Sequence, residues 1–411
     1  MACSPPKEQQ DNKENSSTAL LIKSRIVSPG QPSIHNAIYS KTDGFGLLSG
    51  NNFSDNNGRT WTKYIYKPDF FSNLPYGYRR DQVTSVLDRF TGRIVVIINS
   101  LDTPGLDPSI NEPPVAQETY YLRYIVSDDA AATWLFDEPI ISNGNYTQKH
   151  PFEGIVIGKN SIYQGDVGSI PIVTKQEKIL VPAQTTILNS DSGLANPGGG
   201  FTYTDVLVLI GTWNNDKRLS WKASQRIAGD PVRSTRGMIE PTLLELNDGR
   251  IMMIMRGSNG GKLDPENRLP SYKWLSVSND GGESWSKPEQ WTFDDGSIFY
   301  SPSSMSALFK HSGGRCFWIG NLSFVNCRNN LPRFPLVMAE VNTETLKLIR
   351  SSLLVVDTQK QEDLTKGRLD ISHMALIEDR ETKDIILTYP RNTNAYKSTE
   401  WITMRLLLKD R

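Results

Sequence analysis

From about residue 20 to the end, the chain alternates short apolar runs with polar turns. The runs carry the β-branched and aromatic content of strands, and no segment sustains a helical period. They group into a recurring phrase: a strand, a turn, a second strand, a longer excursion to a third strand, and a further turn into a fourth. The first phrase takes in residues 32–39 and 45–49, and the second residues 83–88, 93–99 and 120–126. The third holds 168–173, 178–181 and 205–210, and the fourth 240–246, 250–256 and 272–277. The fifth holds 304–309, 315–319 and 334–340, and the sixth 372–377, 384–389 and 401–408. Asn247-Asp248-Gly249 between two such runs is a strong hairpin signal, because Asp-Gly supplies the positive φ that a tight hairpin turn requires. Six antiparallel four-stranded units in series predict an all-β fold, a six-bladed β-propeller, in which radial repetition leaves only short protected edges.

A second repeat runs through the phrases. Ser278-Asn279-Asp280-Gly281-Gly282-Glu283-Ser284-Trp285 reads Ser-x-Asp-x-Gly-x-Ser/Thr-Trp. The carboxylate and hydroxyl can bond to nearby amides, the Gly accepts positive φ, and the Trp is an apolar anchor. Looser copies end at Trp61, with Asn56 for Asp, and at Trp134, with Ala131 for Gly. A fourth, ending at Trp221, keeps only Asp216 and the Ser-Trp ending. In a propeller these turns lie on the outer rim, where they are expected to shape blades and perform no chemistry.

Composition narrows the function. The chain has 411 residues with 45 basic and 45 acidic side chains, which excludes the basic excess of a nucleic-acid or anionic-membrane binder. No apolar run is long enough to span a bilayer. Cys3, Cys316 and Cys327 form neither a disulfide framework nor, with any His, a metal-ligand spacing, and no cofactor or metal is expected; a Cys316–Cys327 bridge would require an oxidising compartment. Residues 1–18 are polar and aperiodic and read as a flexible tether ahead of a propeller over 19–411. Cys3 followed by such a tether resembles the mature start of a bacterial lipoprotein, which implies a lipid anchor and a periplasmic or cell-surface location.

Chemistry is expected where innermost strands begin and second strands end, since these positions meet around the mouth of the central channel. That reading collects His35 from phrase one, Arg80 and Asp81 from phrase two, and Asp166 and Gln184 from phrase three. It adds Glu240 and Arg256 from phrase four, Asn321 and Arg333 from phrase five, and His373, Tyr389 and Arg391 from phrase six. Carboxylates, His and Arg around one mouth combine proton-transfer groups with an anion clamp.

These residues resemble the sialidase superfamily, the six-bladed Asp-box or BNR-repeat propellers, from about residue 20 to the end. The stretch from Glu240 to Arg256 is similar to the family's blade that carries a Glu assisting the nucleophile and, at the strand's end, a carboxylate-binding Arg. Arg333 is similar in placement to another Arg of the family's triad. Two features depart from the pattern. Gly30-Gln31-Pro32-Ser33-Ile34 stands where the family has Arg-Ile-Pro, and Asp370-Ile371-Ser372-His373-Met374 stands where its nucleophilic Tyr opens the last blade. The resemblance implies an extracytoplasmic glycoside hydrolase that removes a terminal acidic sugar from an oligosaccharide or polysaccharide, with the departures pointing away from a true sialidase. Glu240, Asp81 and Asp166 are the expected carboxylates and His373 the expected acid/base in place of Tyr, while Arg256 and Arg333 hold the sugar acid. The alternatives are a lyase acting next to a uronate and a non-catalytic glycan-binding lipoprotein.

Overall fold

The structure is a computed structural model that describes residues 19–63, 73–107 and 115–409. The tether and Cys3 lie outside the described residues.

Six antiparallel sheets form a ring around one axis, and in the first five the strands follow chain order from the axis outward. Blade four shows the plan. Ile239–Glu245 is innermost, turns at Asn247–Gly249 into Ile251–Arg256, and is followed by Lys273–Ser278 and Glu289–Gln290. The apolar runs become strands because both faces of a blade are covered by its neighbours, so that Ile251–Arg256 is buried at every position. The core accordingly lies between blades. Five apolar clusters fill the seams from blade one through blade six, with Trp221 in the seam between blades two and three and Trp291 and Trp318 in that between blades four and five. The seam that closes the ring, between blades six and one, is held by polar contacts instead. His35 Nδ1 meets Thr388 Oγ1 at 2.8 Å, Asn57 donates to Asp379 at 2.5 Å, and Tyr39 donates to the Glu378 carbonyl at 3.0 Å.

Ring closure also uses a strand outside the six phrases. Leu20–Ser28 pairs antiparallel with Ser398–Leu408 and forms the outer edge of blade six, so the last blade takes strands from both ends of the chain. Because only Leu20 of the nine is buried, the strand carries little of the alternation by which strands are read.

Three of the Trp turns have the expected geometry. In blade four, Asp280 Oδ1 accepts the Ser278 hydroxyl and the amides of Glu283 and Ser284, Oδ2 accepts the Ser284 hydroxyl, and Trp285 Nε1 donates to the Gly282 carbonyl. Asn56 and Asp129 accept the matching amides of Thr60 and Thr133. The fourth copy is different. Asn214–Arg218 closes a hairpin between Thr204–Trp213 and Leu219–Ala223, and Trp221 lies within the outer strand. The other turns carry two successive residues in the left-handed region, such as Gly281 and Gly282, whereas this one carries Lys217 alone and turns back sooner. Cys316 and Cys327 are buried free thiols. Cys316 begins the strand that ends at Asn321 and Cys327 follows its far end, so the strand, roughly 20 Å long, separates them.

Candidate functional site

The innermost strands are interrupted where they pass the mouth. In blade three the strand is split into Ile162–Tyr163 and Ile172–Val173, with Asp166 in the gap. In blade six it is split into Asp370–Ile371 and Ala375–Glu378, with His373 in the gap at φ 58°. In blade four the register shifts between Ile239 and Thr242, and Glu240 stands at the shift with φ 47°. An L-residue rarely occupies this region, so the neighbours of Glu240 and His373 must hold them there. Each break takes a side chain out of the pleat and turns it toward the mouth.

The three breaks bring five predicted groups together. Glu240 is buried and forms an ion pair with Arg256, whose Nε donates to Ser303 Oγ at 2.8 Å. The Glu240 amide donates to Gln184 Oε1 at 2.8 Å, and its second carboxylate oxygen has no partner among the described residues. Gly165 makes this packing feasible, since a Cβ there would stand 2.7 Å from Glu240 Cγ and 2.5 Å from Gln184 Oε1. One residue on, Asp166 faces His373, with Oδ2 at 3.4 Å from Nε2.

The hydrogen bonds of His373 fix its tautomer. The Ser372 hydroxyl donates to Asp370 Oδ1, so Ser372 Oγ accepts from His373 Nδ1 at 2.8 Å. With Nδ1 protonated, Nε2 presents either its lone pair or a second proton to Asp166. Burial, joined by the charge of Glu240, raises the Asp166 carboxyl, while His373 and Arg256 pull against that rise. Asp166 and His373 Nε2 thus stand as a carboxylate–imidazole pair placed to exchange a proton with a third group. Glu240 has the opposite setting: burial would raise it, but Arg256, then Lys273, Arg333 and Arg236, outweigh burial and hold it ionised.

Arg333 lies alongside, buried, with Nη1 2.9 Å from Asp370 Oδ2 and Nε without a partner among the described residues. The same Asp370 oxygen accepts the hydroxyl of Tyr396, which is half exposed at the tip of the last hairpin. Arg256 leaves one terminal nitrogen without a protein partner among the described residues. Two guanidiniums with unmet donors beside an imidazole–carboxylate pair and an ionised carboxylate can hold an anion and move a proton next to it.

The other sequence-derived candidates are placed differently. Arg391 is sealed between Asp357 at 2.6 Å and Asp363 at 2.5 Å, and Tyr389 donates to Asp357 at 2.9 Å; both are buried in the body of blade six. Asn321 is buried and donates to the Ile371 carbonyl at 3.0 Å, tying blade five to blade six. Arg80 pairs with Asp102 at 2.6 Å, and Asp81, half exposed, pairs with Arg79 at 2.6 Å. His35 is buried against Thr388 and Trp401, and burial, with the charge of His373, lowers it to about 4.

Sequence reasoning passed over Lys273, Ser303, Ser372 and Tyr396. Lys273 opens the third strand of blade four, across from Arg256 in register, and donates to the Ser304 carbonyl. Burial and the charge of Arg256 push it down to about 7. A Lys opening an aromatic and β-branched strand was the available signal. No comparable signal marks the hydroxyls.

The profile of the BNR repeat-like domain family matches residues 108–363, and the chain belongs to that family. With six blades and these rim turns, it is a sialidase-like BNR propeller. Solved structures share the fold at low identity. A protein of unknown function from Dyadobacter fermentans is 15% identical, with 95% of this chain and 100% of that chain covered and a TM-score of 0.57. NanB sialidase from Streptococcus pneumoniae is 13% identical, with 98% and 71% covered and a TM-score of 0.53. A Hadza microbial sialidase is 14% identical with a TM-score of 0.51, and the 89% of this chain that aligns spans 60% of its length. No curated protein matches the sequence.

Proposed function

We propose that the protein is a glycoside hydrolase that removes a terminal acidic sugar, uronate-like or sialate-like, from a glycan. The observation that carries this reading is the pairing of Asp166 with His373 beside Glu240, which Arg256 holds ionised, with Arg333 alongside. Arg256 and Arg333 bind the sugar carboxylate. The proton on the Asp166–His373 pair passes to the glycosidic oxygen as its bond to the anomeric carbon breaks. Glu240 stabilises the positive charge that develops on the sugar ring, and a water adds its hydroxyl to the anomeric carbon while its other proton returns to the Asp166–His373 pair. The relatives named as sialidases support a sugar acid as ligand, while the Ser372-His373 step in place of an opening Tyr supports a different substrate or a different acid.

The test is product analysis on oligosaccharides capped by uronates or sialates, with Glu240→Gln and His373→Ala alongside the wild type. A new reducing sugar and a free sugar acid are expected, with both variants slowed about 10²- to 10⁴-fold at unchanged melting temperature. A new ultraviolet-absorbing double bond would instead make the protein a lyase. Binding without turnover would make it a glycan-binding module. Near-normal rates in both variants would remove the assigned roles.

We further propose that Cys3 is lipidated and holds the propeller at a periplasmic or cell-surface membrane. Fatty-acid labelling of the wild type and of Cys3→Ser in a bacterial host tests this. Equal labelling of the two rules it out.

A further inference from the structure

The opening of blade six holds a buried carboxylate that the proposed reaction does not use. Asp370 accepts hydrogen bonds on both oxygens. Oδ2 takes Arg333 Nη1 at 2.9 Å, Arg368 Nη2 at 3.4 Å and the Tyr396 hydroxyl, and Oδ1 takes the hydroxyl of Ser372, which is itself buried. The backbone fixes the same place, since the Ile371 amide donates to the Arg333 carbonyl at 3.0 Å. Asp370 is therefore anchored from blade five and from the tip of the last hairpin.

Two carboxylates bear on the His373 ring, and they do so unequally. Asp166 faces Nε2 directly at 3.4 Å and by itself would draw a ring proton to that nitrogen. Asp370 acts on Nδ1 only through Ser372. A hydroxyl has one proton, and a charge-assisted bond to Asp370 claims it, so Ser372 Oγ is left with lone pairs. Two donors point at those lone pairs, His373 Nδ1 at 2.8 Å and Arg333 Nη1 at 3.4 Å. The backbone makes the contact possible. Asp370 and Ser372 are two residues apart and share a side of extended chain, whereas His373 at φ 58° breaks the alternation and brings its ring alongside Ser372. The stretch Asp370-Ile371-Ser372-His373, where the chain departs from the family pattern, is thereby a single hydrogen-bonded unit.

We propose that Asp370 and Ser372 are positioning residues that keep one proton on His373 Nδ1 and confine proton transfer to Nε2. The proposal rests on the hydrolase reading above for the reaction it serves. In that reaction the moving proton leaves and returns on the Asp166 side of the ring, while the Nδ1 proton stays between the ring and Ser372. Asp370 also balances the positive charge of the ring whenever Nε2 is protonated. Held by Arg333, Arg368 and Tyr396, it does not compete for the moving proton.

The chain has four histidines, so NMR of protein labelled with ¹⁵N-histidine tests this, with His373→Gln assigning the signals of that ring. In alkaline solution the wild-type His373 should keep a proton on Nδ1. Ser372→Ala removes the acceptor, and Asp166 should then draw the proton to Nε2 and leave Nδ1 bare. Asp370→Asn removes the charge that claims the Ser372 hydroxyl and should shift the ring the same way. On the capped oligosaccharide that the wild type cleaves, Ser372→Ala should lower kcat about 10²-fold with KM within about twofold and the melting temperature unchanged. A bare Nδ1 in the wild type, a Ser372→Ala variant that keeps the proton on Nδ1, or normal kcat in a variant whose tautomer has switched would each overturn the proposal. The NMR measurement needs no turnover. A protein that cleaves none of the oligosaccharides would remove the hydrolase reading, and the state of Nδ1 would still decide whether Asp370 and Ser372 hold the ring.

Discussion

The rim turns and the channel mouth both employ carboxylates within networks of hydroxyls and amides, and they employ them in opposite ways. At the rim, Asp280 has both oxygens occupied. Burial would raise it, but the Ser284 hydroxyl and amide, with Ser278 and the Glu283 amide, outweigh that and hold it at about 2. At the mouth, Asp166 is pushed upward and Glu240 keeps an oxygen without a partner among the described residues. A carboxylate whose lone pairs are all matched is fixed in one protonation state and serves shape. One that is left unmatched beside a movable proton retains free energy that a substrate can release. The number of acidic residues does not separate the two regions. The completeness of their hydrogen bonding does.

Substitutions at the two regions should therefore separate turnover from stability. Asp166→Asn removes the carboxylate that faces His373 and should lower kcat by about 10²- to 10⁴-fold with the melting temperature unchanged or raised. A fall in melting temperature with normal kcat would make Asp166 a rim-type carboxylate. Arg256→Met leaves Glu240 buried and unpaired, and should cost about 3–5 kcal/mol in urea unfolding. Adding Glu240→Gln to Arg256→Met should restore most of that loss, and a double-mutant cycle showing additive effects would break the pairing argument.

At the rim, Asp280→Asn should cost on the order of 1–2 kcal/mol while kcat stays normal. Because the folded Asp280 is held below its unfolded value of 3.8, its contribution is complete above about pH 4 and is lost as pH falls toward 2. The stability difference between wild type and Asp280→Asn should shrink over that interval, and a difference that persists at pH 2 would show the bonds do not depend on the charge. The smallest effect is at Ala130, which takes φ 61° where blade four has Gly281 at φ 78°. Ala130→Gly relieves the left-handed strain and should stabilise by up to about 1 kcal/mol, partly offset by the freedom Gly gains in the unfolded chain. A loss of stability would mean that the Ala methyl contributes more than the strain costs.

Much of this organisation was legible in the sequence because it is local. Glu240 and Arg256 end opposite strands of one hairpin, so the turn at Asn247–Gly249 sets their register and the ion pair follows from it. His373 and Asp166 were each visible as groups at the start of an innermost strand. That they face each other was not, because blades three and six meet only when the ring closes. Tyr389 and Arg391 show the converse. Their position at the end of a second strand suggested the mouth, and Asp357 and Asp363 from the segment before the last blade hold them inside it. Nothing in the spacing of those residues announces such a clamp.

The sequence by itself determined the blade count, the strand runs, the rim turns and the hairpin that joins Glu240 to Arg256. Apolar strand runs, turn chemistry and hairpin register act over a few residues and leave their mark in the order of side chains. Only the tertiary structure decided that Leu20–Ser28 closes the last blade, that Lys273 and Tyr396 stand beside the site, and that the innermost strands break at Asp166, Glu240 and His373. Those outcomes depend on which distant groups compete for the same hydrogen bonds and the same space once the ring is closed. No window along the chain contains both competitors.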